Sequence, residues 1–210
     1  MKTVLAKTAW GLAAFLSVAV ALFSYRYVIS AGLLAPNVMA NLMARPWIAV
    51  HAAGASTALL VGAFQFLPGV RRRTSLHRWL GRIYAAGCLV GGVAALILAP
   101  TTTAGPLATV GFGLLGVIWI HVTVQGWRTA RARRFDEHRR WMIRSFALTF
   151  GAVTLRIYLP IGPLLGLDFM QTYVLVSWLS WVPNLAIAEA WLRRNGGNRS
   201  LLTTPVSSRA

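Results

Sequence analysis

Apolar stretches of roughly twenty residues, the length that crosses a bilayer core, recur along the chain between short polar or arginine-rich breaks. They cover about 9–29, 47–67, 80–99, 106–127, 140–162 and 170–192. This pattern predicts an all-α, polytopic membrane protein with six transmembrane helices. The breaks carry turn chemistry. Pro46 opens the second span, where a missing N–H costs nothing, and Trp47 suits the water–lipid boundary. Pro68-Gly69 closes that span, Pro100 and Thr101-Thr102-Thr103 follow the third, and Pro160, Gly162 and Pro163 break the fifth. The first stretch also offers Ala19-Val20-Ala21, a signal-cleavage pattern, but its apolar character continues through Tyr25, Tyr27, Val28 and Ile29, so it is read as an uncleaved helix. Residues 1–192 are expected to form one transmembrane domain, 31–46 a loop, and 193–210 a disordered tail.

Charge orients these spans. Of 210 residues, 57% are hydrophobic and 12% charged, with 21 Lys and Arg against 4 Asp and Glu, a formal net charge of +17. The basic residues crowd into 68–79, 128–139 and the C-terminal tail, whereas 31–46, 100–105 and 163–169 hold only Arg45. The positive-inside rule then places both termini and both basic loops in the cytoplasm, as an even number of spans requires. The expected setting is the bacterial cytoplasmic (inner) membrane, with anionic lipid head groups as partners at the cytoplasmic face. Short basic clusters between apolar runs argue against nucleic acid. The lone Cys88 excludes an intrachain disulfide.

One stretch is used twice. His77, Arg78, Trp79, Arg82 and Tyr84 align with His138, Arg139, Trp141, Arg144 and Phe146, with one extra residue in the second copy; Gln65 and Gln125 precede the two copies. Spans two and three therefore read as one helical hairpin and spans four and five as its duplicate. Both run in the same sense, so the expected core is a four-helix bundle with spans one and six outside it. Glycines such as Gly54, Gly62, Gly87, Gly91 and Gly92 allow close helix approach.

Polar groups at depth mark candidate chemistry. His77 and His138 open equivalent helices among arginines, including Arg82, Arg140 and Arg144. That positive surrounding keeps the imidazoles neutral, the form that ligates metal, and calls for an anion such as lipid phosphate or haem propionate. Two histidines at one depth across a pseudo-two-fold axis suit the iron of a b-type haem; the alternative is a pair of interfacial histidines bonded to head groups or loop carbonyls. His51, roughly 6 Å from the outer boundary, and Arg156, roughly 9 Å deep, suggest an outer site for an anion or quinone carbonyl. The other reading of Arg156 is an ion pair with Asp168. His121 is expected to bond another helix near Gln65, and Glu189 to pair with Arg144 or Arg140. No Ser–His–acid set, P-loop, metal-binding His-Glu-x-x-His or covalent-haem motif is present.

The block His51, Gln65, Arg71, Leu76-His77-Arg78, Gly81-Arg82-Ile83-Tyr84, Trp119, His138-Arg139-Arg140-Trp141-Met142-Ile143-Arg144-Ser145, Leu148-Thr149 and Leu155-Arg156 resembles the domain of unknown function 2306 family of bacterial predicted membrane proteins. The similarity covers about 47–160; a histidine at 121 is not part of the pattern. The resemblance implies an integral membrane protein and no particular activity. Three functional expectations remain: a membrane redox component binding b-type haem or quinone through His77 and His138, with His51, Arg82, Arg144 and Arg156 around the cofactor; a non-redox binding or transport protein that recognises anionic lipid or a small anion; and a structural subunit. A homo-oligomer or a redox partner is left open.

Overall fold

The computed structural model describes residues 2–29 and 44–200. Most of the 31–46 loop and residues 201–210 of the expected tail lie outside the described residues. Described residues form helices and no strand: α1 (Lys2–Ser24), α2 (Arg26–Ile29), α3 (Ala44–Gln65), α4 (Pro68–Arg72), α5 (Thr74–Leu98), α6 (Pro106–Arg131), α7 (Phe135–Thr149), α8 (Gly151–Leu164), α9 (Phe169–Leu179) and α10 (Val182–Ser200). Among the described residues, five helical stretches are long and apolar enough to cross a membrane: Thr8–Val28, Pro46–Gln65, Thr74–Thr101, Pro106–Arg131 and Phe135–Leu164.

The stretch expected as a sixth span is two helices that meet at Ser180-Trp181. Pro183 lacks the N–H that the Leu179 carbonyl needs, which breaks the ladder. Side chains cover the next carbonyl: Ser180 O accepts from Asn184 Nδ2 at 2.9 Å and from the Thr154 hydroxyl. α10 runs on to Ser200, past the expected end at 192.

The core is a four-helix bundle of α3, α5, α6 and α7. α3 and α5 pack antiparallel at backbone contact: a β-carbon on Gly54 would stand 2.6 Å from Gly91 N and 2.8 Å from Gly87 O. Such closeness replaces side-chain packing with backbone contact, the usual way apolar helices associate in lipid. α6 joins through Gly92 and Gly116, which face Ile120 and Leu96. Its turn into α7 closes by Arg134 N–H donating to Thr129 O at 2.9 Å and Arg133 N–H to Ala130 O at 3.1 Å, a Schellman motif. Arg133 holds its left-handed position, φ 58°, where glycine is usual.

The peripheral helices are anchored on this bundle. Trp10 of α1 packs on Phe66 and Phe146, and Tyr25 at its far end hydrogen-bonds Thr57 at 2.7 Å. α9 lies against α6 and α8, where Gly111 and Gly162 face Ser177 and Thr172. α10 lies against α7 through a forked ion pair, Arg144 Nη2 donating to Glu189 Oε2 at 3.0 Å while Nε donates to Oε1. This is the partner that the sequence suggested for Glu189.

Candidate functional site: histidines at the basic end of the bundle

α5 and α7 begin at the same, arginine-rich end and run in parallel. Tyr84 OH pairs with Ser145 Oγ at 2.9 Å, and Cys88 Sγ lies 4.0 Å from Thr149 Oγ1; each pair is 61 residues apart. His77 and His138 are separated by the same 61 residues. They therefore occupy equivalent positions, seven residues or about 10 Å nearer the basic end. The alignment of the two motif copies needs an extra residue after the arginine, so it pairs Tyr84 with Phe146. The uninterrupted helix α7 turns that extra residue into a rotation of about 100°. The histidines match in space, whereas the tryptophans, later arginines and aromatics of the two copies face differently.

The two rings are held by different groups. His138 Nδ1 lies 2.8 Å from the Gly126 carbonyl of α6. A carbonyl only accepts, so Nδ1 carries the proton and, in the neutral ring, Nε2 keeps its lone pair. The His77 carbonyl accepts from Gln65 Nε2 at 3.3 Å. Gln65 is 8% exposed, and both its Oε1 and His77 Nδ1 are buried without a hydrogen-bond partner. His138 and Arg71 both act electrostatically on His77. The mouth thus gathers two imidazoles, an unpaired amide oxygen and a cation. Gln65 and Gln125 are not equivalent, since the position that matches Gln65, twelve residues before His138, is Gly126.

Beyond the histidines the bundle is closed by a buried network. Tyr84 OH also meets Thr149 Oγ1 at 3.0 Å, Trp119 Nε1 donates to Thr149 at 2.9 Å, and Thr123 Oγ1 pairs with Ser145 at 2.8 Å. Tyr84, Trp119, Thr123, Ser145 and Thr149 are all at most 5% exposed. Sequence reasoning did not single out this network. Its signal is present: Tyr84/Cys88, Trp119/Thr123 and Ser145/Thr149 are three i, i+4 pairs of polar-tipped side chains inside apolar helices.

At the other end, His51 Nδ1 lies 2.9 Å from the Gly91 carbonyl. Arg156 acts on His51 electrostatically and donates through Nη1 to Ala152 O at 2.9 Å. Asp168 caps α9 in a reciprocal box with Gln171. Arg82 is exposed, with its guanidinium carbon 5.0 Å from the Trp79 ring centroid, and Arg144 is committed to Glu189. The fold brings His77 and His138 together and relates His51 to Arg156. His121 is exposed and edge-on to Trp141, with ring centroids 5.9 Å apart, while Gln65 donates to the His77 carbonyl.

Among the described residues no three or more His, Cys, Asp or Glu side chains form a group that holds a bare metal ion. Two imidazoles fall short of a group of that size; a haem, whose macrocycle supplies the other ligands of its iron, would need no more than two.

No curated protein and no solved structure matches the chain. A family model described as "Predicted membrane protein" matches residues 48–192, from the second span into the helix that carries Glu189. The chain belongs to the domain of unknown function 2306 family of predicted membrane proteins.

Proposed function

We propose that the protein is a redox component of the bacterial inner membrane that binds a b-type haem at the cytoplasmic end of its four-helix bundle, where His77 and His138 would hold the iron. The observation that carries this reading is the shared 61-residue register of the two histidines across parallel helices. When bound, haem supplies one-electron transfer. The chain's own residues do the rest. Gly126 O orients the His138 ring and leaves Nε2 as the atom that would hold the iron. Gln65 and His77 offer unpaired polar atoms at the site, and Arg71 supplies positive charge for a propionate. The packed Tyr84–Thr149 network separates the site from the outer leaflet.

The test is an absorbance spectrum of protein purified from haem-replete cells. A Soret band is expected, lost or shifted in His77→Ala and in His138→Ala, with both variants still folded by circular dichroism. A folded, colourless wild type that also fails to take up added haemin would sink the proposal. The second reading, a non-redox protein recognising anions, is favoured by the arginine excess at the same mouth. It predicts a colourless protein whose melting temperature rises with anionic lipid.

A further inference from the structure

The end opposite the basic turns holds a second cluster. A groove of about 550 Å³ lies between α1–α2 and α8, lined by Arg26, Tyr27 and Arg156 and, among apolar side chains, by Val20, Phe23 and Leu159. Arg26 Nη2 donates to Tyr27 OH at 3.1 Å, and its guanidinium carbon stands 3.8 Å from the Phe23 ring centroid. Arg26 Nε is buried with no hydrogen-bond partner. Arg26 and Arg156 act on each other electrostatically, so two like charges share one groove in an apolar surrounding.

The chain's own carboxylates are engaged elsewhere. It has four acidic residues. Asp136 and Glu137 lie in the first turn of α7 at the basic end, Glu189 is paired with Arg144, and Asp168 caps α9. Two guanidiniums at membrane depth call for a counter-charge, and among the described residues no Asp or Glu side chain forms an ion pair with either. A phosphate group fits best: its oxygens accept from two guanidinium forks at once. Tyr27 adds a hydroxyl donor, and the apolar wall suits the tail of an amphiphile.

We propose that this groove binds the phosphate group of a membrane lipid, held between Arg26 and Arg156 with its acyl chain along α1 and α8. The site is separate from the histidine mouth and does not depend on haem there. Native mass spectrometry of the full chain from nanodiscs containing phosphatidylglycerol tests it. Wild type is expected to retain one more phospholipid than Arg156→Gln or Arg26→Gln, with occupancy of that lipid falling at least tenfold. Arg156→Lys, which keeps charge and loses the fork, is expected to fall in between. Melting temperatures in phosphatidylglycerol, in neutral diacylglycerol and with added inorganic phosphate separate the sources. A rise with the phospholipid alone supports the lipid; an equal rise with inorganic phosphate, absent in both glutamine variants, overturns the lipid in favour of a free phosphate. Equal lipid retention by wild type and both glutamine variants, each folded by circular dichroism, overturns the site.

Discussion

The tightest joint in the molecule is the crossing of α3 and α5, and Gly54→Ala tests it. The added methyl would sit 2.6 Å from Gly91 N and 2.8 Å from Gly87 O, both backbone atoms that no rotamer change can move. Ordinary carbon contacts lie at about 3.5–4.0 Å, so the two helices must separate by about 1 Å. Overpacking of this kind costs about 1–3 kcal/mol. The same movement would stretch the 2.9 Å contact of His51 Nδ1 with Gly91 O beyond hydrogen-bonding range, which costs about 0.6 kcal/mol and at most about 1.7 in membrane helices. The better helix propensity of alanine returns up to about 1 kcal/mol, leaving a net loss of about 1–3 kcal/mol. Gly113→Ala is the control, because no heavy atom lies within 4 Å of its added methyl; it should be neutral or slightly stabilising. Reversible unfolding in mixed micelles, followed by circular dichroism, reads both. If Gly54→Ala and Gly113→Ala agree within about 0.5 kcal/mol, less than contacting sites differ, the backbones do not touch there and the reasoning fails.

Other expectations follow from the same contacts. Tyr84→Phe removes the hydroxyl between Ser145 and Thr149, but both keep other partners, so the loss should be only about 1 kcal/mol; Ser145→Val should cost more in the same unfolding assay. In a double-mutant cycle, Arg144 and Glu189 should couple by about 1 kcal/mol, discounted because their side chains are 18% and 31% exposed, and the coupling should fall in high salt. Arg133→Gly should stabilise the α6–α7 turn by roughly 0.5–1 kcal/mol, because glycine takes the left-handed position without strain; a lower melting temperature would count against the Schellman assignment.

The site was partly legible in the chain. His51 and Arg156 stand out because ionisable groups are rare in apolar stretches, His77 and His138 because the stretch around them is used twice, and Glu189 because it has few partners available. Arg82 and Arg144 looked equivalent only because sequence alignment ignores helix rotation; one stacks on Trp79 at the surface and the other holds α10. Arg26 gives no such signal, because nothing in its neighbourhood of the sequence names Arg156 as its companion.

By itself the sequence determined the solvent of this protein. Twenty-residue apolar runs must satisfy their backbone internally, so they become helices, and the arginine-rich breaks bring the turns of two hairpins to one end. Local periodicity and charge suffice for that. Tertiary structure decided what depends on rotation and depth between helices: the common register of the two histidines, the hydroxyl network that closes the bundle, the break at Ser180-Trp181, and the meeting of Arg26 with Arg156. An offset of one residue along a chain is invisible to composition, yet it turns a side chain by about 100° around a helix, and only the packed bundle shows which face it meets.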